Sequence, residues 1–172
     1  MKRCADCVIV AFLLCWLMVS GCARNGVSDS EAAKQLFEET STDYHFAAAE
    51  AKGSERERLL KKAAAGYRKL LRKYPKETSW CAQSLRSLGN VRAEQGRFEE
   101  AISTFEDVGK RYRDERWEVI QALKSAGDLC RNKGSSDQAR EFYVRIIEEF
   151  RDAEAPMMKT IVEAAEKALS VM

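Results

Sequence analysis

Six cysteines and a single histidine are the side chains in this 172-residue sequence best able to do chemistry, and their spacing gives them different roles. Cys22 ends the stretch Val19-Ser20-Gly21-Cys22, one aliphatic residue, two small ones and a thiol, directly after an apolar run. A thiol so placed is a nucleophile at the end of an apolar segment, with two residues of little side-chain bulk before it. Catalysis by the chain itself has less to stand on. His45 is the only histidine, and a lone histidine in helical sequence is expected on the surface or half-buried rather than as a general base or ligand. Glu99 with Glu100, and Glu148 with Glu149, are adjacent on helical segments and point apart, so they read as solvated faces and not as an acid/base pair. No Cys/His cluster has the spacing of a four-ligand metal site, and no glycine-rich loop follows a strand. The sequence therefore predicts a protein without an active site, a metal or a dissociable cofactor.

Upstream of Cys22, Lys2 and Arg3 give a positive start, and every residue from Cys7 to Val19 is apolar. That run is too short to span a bilayer and has the length of a signal-peptide core. A buried core helix would show polar residues along one side, and CVIVAFLLCWLMV has none. The stretch from Val19 to Cys22 resembles the lipobox of bacterial lipoproteins. This resemblance implies a signal peptide over 1–21, cleavage between Gly21 and Cys22, and covalent lipid on Cys22, a diacylglycerol and an acyl chain such as palmitate. Two or more chains attach a protein stably, each buried methylene contributing about 0.8 kcal/mol. Ala23 stands where an aspartate would favour the inner membrane, so the resemblance points to the outer membrane, facing the periplasm. Cys4, Cys7 and Cys15 leave with the signal peptide. Cys81 and Cys130 remain, and the repeat alignment below sets them at different heights on neighbouring helices, which favours two buried free thiols over a disulfide.

Residues 22–28 then form a short tether to the elements that carry the remaining candidates. Charged residues make up 33% of the chain with a formal net charge of +2, and the signs are interleaved, so no basic stripe points to nucleic acid. Only two prolines and abundant Ala, Leu, Glu, Lys and Arg predict helices throughout. Ala63, Ala101 and Ala139 recur at a step of 38, as do Tyr67, Phe105 and Tyr143, then Leu70, Val108 and Ile146, then Tyr74, Tyr112 and Phe150. Such periodicity predicts stacked units that bury a continuous core. Within it, SLRSLGNVRAEQGRFEEAISTFEDV resembles a tetratricopeptide repeat, with Leu85, Leu88 and Gly89 on the first helix, Gly96 and Phe98 at the turn, and Ala101 and Phe105 on the second. Leu123, Ala126, Gly127, Gly134, Ala139 and Tyr143 hold the same places one unit later.

The resemblance implies an all-α, tetratricopeptide-like helical-hairpin solenoid. It has about three repeats within 29–155, at about 44–81, 82–119 and 120–155, and a capping helix over 156–172. A first helix is expected from Asp29 to Lys52. Ser28 with Glu31, Ser54 with Glu57, and Ser135 with Gln138 read as capping boxes, Pro75 as a helix stop and Pro156 as the first turn of the last helix. Met158, Ile161, Val162, Ala165, Leu169 and Met172 share one face of that helix, which predicts a cap on the last repeat, with partner docking as its other possible use. Trp80 and Trp117 are expected at repeat junctions.

In such folds the first helix of each unit lines the inner wall. By alignment this wall holds Gln83, Arg86, Asn90 and Ala93, then Gln121, Lys124, Asp128 and Arg131. Arg86, Asn90, Lys124 and Arg131 could donate to a peptide backbone or carboxylate, with Asp128 beside them. A lipobox followed at once by long-period helical repeats, with the endings RKYP, KRYR and EEFR, resembles the BamD type of outer-membrane lipoprotein. That resemblance implies protein partners in a β-barrel assembly complex, attachment to the membrane through lipid, and no nucleic acid. A pilotin-like role in secretin or pilus assembly, and capture of sugars or cell-wall fragments, are the other readings the sequence leaves open.

Overall fold

The computed structural model describes residues 27–172; the signal-peptide segment, Gly21, Cys22 and the tether as far as residue 26 lie outside them. Among the described residues every regular element is helical. The chain opens with α1 (Asp29–Thr40), continues through a π-helical segment (Ser41–Phe46) into one further α turn, α2 (Ala47–Glu50), and reverses into α3 (Gly53–Lys73). Two hairpins follow, α4 (Thr78–Glu94) with α5 (Phe98–Arg111) and α6 (Arg116–Asn132) with α7 (Ser136–Phe150), and α8 (Pro156–Ser170) closes the stack. The expected solenoid of helical hairpins with a terminal cap is the observed architecture.

The 38-residue period is visible in the backbone. At each junction between hairpins the aromatic residue caps the preceding helix and the residue three further on bonds back to it. Tyr74 N donates to Leu70 O and Glu77 N to Tyr74 O, Tyr112 N to Val108 O and Glu115 N to Tyr112 O, all within 3.1 Å. Ala153 N repeats the second bond to Phe150 O at 2.9 Å. The turns inside the hairpins are set by Gly96 and Gly134 at φ +76° and +79°, a left-handed conformation that a Cβ would strain. Pro75 follows α3 and Pro156 opens α8.

Packing within each hairpin depends on a glycine facing an aromatic ring. A Cβ added at Gly89 would lie 2.5 Å from Phe105 Cε1, and one at Gly127 would lie 2.8 Å from Tyr143 Cε1. Glycine on the first helix thus lets the ring of the second pack directly against it, and Phe105 and Tyr143 are each 2% exposed. Burying an aromatic side chain of this size contributes about 2–3 kcal/mol. The core runs from Ala48 through the two hairpins to Ala168, and a smaller cluster of Ala33, Leu70, Tyr74 and Cys81 ties α1 to α3 and α4. Trp80 joins that cluster with its ring 5.7 Å from Phe37, and Trp117 lies against the main core.

Several local expectations are corrected. The first helix does not run unbroken to Lys52 but carries the π segment and ends at Glu50. Ala33, Phe37, Ser41 and His45 must all face the core at steps of four, more than the 3.6 of an α-helix; the wider π turn restores that register, and Ser41 Oγ bonds Phe37 O at 2.8 Å. Ser54 does not cap α3, because the chain turns at Gly53 (φ +56°) and the serine falls inside the helix. Ser135 holds the N-cap position of α7 without a side-chain cap bond, and Gln138 accepts from the Cys130 thiol at 3.9 Å instead. Ser28 does cap α1, accepting from Glu31 N at 3.1 Å. The apolar face of α8 is not left open for docking: Ile161, Val162, Ala165 and Ala168 are buried in the core, and Met158, Leu169 and Met172 pack against it.

Candidate protein-binding face

The first helices of the two hairpins, α4 and α6, lie side by side, which brings the predicted wall residues to neighbouring positions. Arg86 projects from α4 toward α6, and its Nε donates to Glu118 Oε2 at 2.5 Å. The pair is largely dry, with side chains 21% and 7% exposed. The sequence offered Arg86 as a free donor for a peptide; the structure uses it to neutralise Glu118, whose carboxylate sits at the α4–α6 seam. Glu118 lies within the first turn of α6, where an anion is also favoured by the helix dipole. Asn90, one turn further along α4, is half-buried.

Lys124, Asp128 and Arg131 come together on α6. Asp128 is the hub: Lys124 Nζ donates to one carboxylate oxygen at 2.6 Å, while Tyr143 Oη at 2.7 Å and an Arg131 nitrogen at 3.3 Å donate to the other. Burial, and then the bond to Asp128, push the Tyr143 phenol well above its ordinary value, so it stays protonated and serves as a donor. α8 crosses beside this cluster. Lys124, Asp128, Arg131 and Tyr143 line one wall of a cleft of about 130 Å³, and Ile161, Ala164, Ala165 and Ala168 of α8 line another. The ammonium and guanidinium retain unused donors at the mouth, 40% and 46% exposed. Such a site can hold a backbone carbonyl or a carboxylate beside an apolar wall.

Sequence reasoning missed the environment of His45. It lies on the π segment and is nearly buried, at 9% exposed. Its Nε2 meets Glu94 Oε1 at 3.0 Å and its Nδ1 meets Tyr67 Oη at 3.0 Å; Tyr67 Oη lies 3.1 Å from Ser41 Oγ. Arg56 then holds Glu94 through its second carboxylate oxygen at 2.8 Å and its carbonyl at 3.2 Å. Burial raises the Tyr67 phenol. The chain of bonds ends on the Phe37 carbonyl and acts as a polar bracket fastening the π segment and α3 to the end of α4. Its partners lie 22 and 49 residues apart, and no local spacing in the sequence announces them.

Cys81 and Cys130 are buried free thiols. Among the described residues no group of three or more His, Cys, Asp and Glu side chains could hold a metal ion, and no described helix is long and apolar enough to cross a membrane. No curated protein matches the chain. The tetratricopeptide repeat family profile matches residues 83–114, which cover most of α4, all of α5 and the turn between them. The hairpin stack, its 38-residue backbone repeat and this match give the described residues an all-α, tetratricopeptide-like fold of stacked helical hairpins.

Proposed function

We propose that the chain is a lipid-anchored scaffold for protein–protein interaction in the bacterial envelope, acting in outer-membrane protein assembly and without chemistry of its own. The observation that carries the scaffold reading is the pair of in-register hairpins, whose first helices lie side by side and present Lys124, Asp128 and Arg131 at the α8 cleft, with half-buried Asn90 on the neighbouring α4. Helical repeats of this type form extended binding surfaces because each unit contacts only its neighbours and leaves one wall open. The lipobox-like stretch ending at Cys22 supports the anchor. Six residues lie between Cys22 and Asp29, so the tether is seven Cα-to-Cα steps and spans at most about 25 Å at roughly 3.3–3.6 Å per step. A scaffold held this close to the bilayer meets membrane-bound partners at the surface.

The test is crosslinking of the tagged full chain in its own membranes, mild-detergent purification and identification of the partners by mass spectrometry. A β-barrel assembly protein dominating the crosslinks, weakened by Lys124→Glu and Arg131→Glu, is the expected result. Crosslinks confined to secretin, pilus or cell-wall components would overturn the assembly role. For the anchor, Cys22→Ser should abolish labelling by a palmitate analogue and block processing at Gly21; an unchanged labelling pattern would remove it.

A further inference from the structure

A second cleft, of about 400 Å³, lies between the C-terminal ends of α5 and α7 and the first residues of α6. Its size falls in the range of small-molecule sites, roughly 300–1,000 Å³. It is lined by Lys110, Arg113, Arg116 and Arg145 against one carboxylate, Glu149, and none of Arg86, Asn90, Lys124, Asp128 or Arg131 lines it. The cations are weakly engaged. Lys110 meets Glu106 at 3.4 Å and Arg145 meets Glu149 at 3.5 Å, both longer than a tight charge-assisted bond. Arg113 has no carboxylate partner among the described residues. Arg116 is oriented by the Phe150 ring 4.7 Å away and by the Glu149 carbonyl at 3.2 Å, so its charge also offsets the negative end of α7 that would otherwise repel an anion. Gly109 faces the cleft without a side chain, with Val119 Cγ1 3.7 Å from where its Cβ would stand.

We propose that this cleft binds a phosphate group. Four cations around one cavity exceed what a carboxylate or a phosphodiester, with one charge and two free oxygens, can engage, whereas inorganic phosphate or a phosphate monoester, a phosphatidic acid headgroup included, offers three or more oxygens and up to two charges to forked guanidinium donors. The phosphate has two possible sources, a membrane-lipid headgroup or a free phosphate compound. The lipid source rests on the anchoring proposed above, because the first turns of α1, where the tether attaches, pack with Tyr74, Cys81 and Tyr112 at the same edge as the cleft. The phosphate site itself does not rest on that reading.

The test is arginine footprinting of the full chain in non-ionic detergent micelles, with phenylglyoxal modification of Arg113 read by mass spectrometry against exposed Arg140 as internal reference. Inorganic phosphate, or phosphatidic acid added to the micelles, should slow modification of Arg113 relative to Arg140, because charge-assisted bonds to a bound phosphate occupy the guanidinium. Phosphatidylcholine is the comparison. Filling the floor with Gly109→Leu, or removing a wall cation with Arg145→Gln, should each abolish the protection. Protection by phosphatidic acid alone assigns a lipid headgroup; protection by inorganic phosphate, with or without protection by the lipid, assigns a site open to free phosphate compounds. An Arg113-to-Arg140 modification ratio that no addition changes, or protection that survives both substitutions, would overturn the proposal. Loss of lipid labelling in Cys22→Ser bears on the anchor alone.

Discussion

Replacing Gly89 with alanine separates helix propensity from packing. Alanine in a helix interior is favoured over glycine by about 1 kcal/mol, so propensity alone predicts a more stable protein. The added methyl, however, would stand 2.5 Å from Phe105 Cε1, and that ring, 2% exposed, is enclosed by the core. Overpacking costs roughly 1–3 kcal/mol, and a contact this short against an enclosed ring falls in the upper part of that range, about 2–3 kcal/mol. The net expectation is destabilisation of about 1–2 kcal/mol, a fall in Tm of roughly 3–6 °C for a domain of this size. Gly109→Ala is the matched control, since its methyl meets Val119 Cγ1 at an ordinary 3.7 Å; it should stabilise by up to about 1 kcal/mol. Urea unfolding followed by far-ultraviolet circular dichroism gives both values, and Gly89→Ala combined with Phe105→Leu should recover about 1 kcal/mol or more of the single-mutant loss. If Gly89→Ala were as stable as the parent, or the two alanines shifted stability alike, the glycine–aromatic packing argument would fail.

Three further outcomes follow from the same structure. Arg86→Ala should destabilise by about 3 kcal/mol in urea unfolding because it strands the buried Glu118 carboxylate, while Arg86→Met with Glu118→Leu should restore most of that loss; equal stability of the single and double variants would contradict the pairing. Stability should fall at alkaline pH. Burial raises Cys81, Cys130, Tyr67 and Tyr143, and Tyr112 is pushed up to about 12. Each of these groups holds its proton more tightly when folded, so its contribution is intact below the ordinary thiol and phenol values of 9.0 and 10.0 and is lost as pH rises through the folded ones; a denaturation midpoint flat from pH 8 to 12 would refute this. Finally, Cys81 and Cys130, at 0% and 1% exposed, should resist Ellman's reagent in the folded protein and both react in urea; rapid reaction of either without denaturant would show that its helix is not packed as described.

Two kinds of information decided this protein. The sequence by itself determined the helical class, the 38-residue period, the turns at Gly96 and Gly134 and the apolar face of α8, because each is encoded by neighbours within one or two helical turns or by a repeat that shows itself on alignment. It also placed Lys124, Asp128 and Arg131 together, since steps of four and three put them on one helix face. Only the tertiary structure decided that Arg86 is bound to Glu118, that His45 is enclosed by Tyr67 and Glu94, that α1 widens into a π turn, and that Lys110, Arg113, Arg116 and Arg145 converge on one cleft. Each of those depends on partners more than a helix length away in the chain, or on the register in which one helix settles against the next. Residue type and spacing fix which face of a helix is apolar. Which charge meets which is fixed only when the hairpins stack.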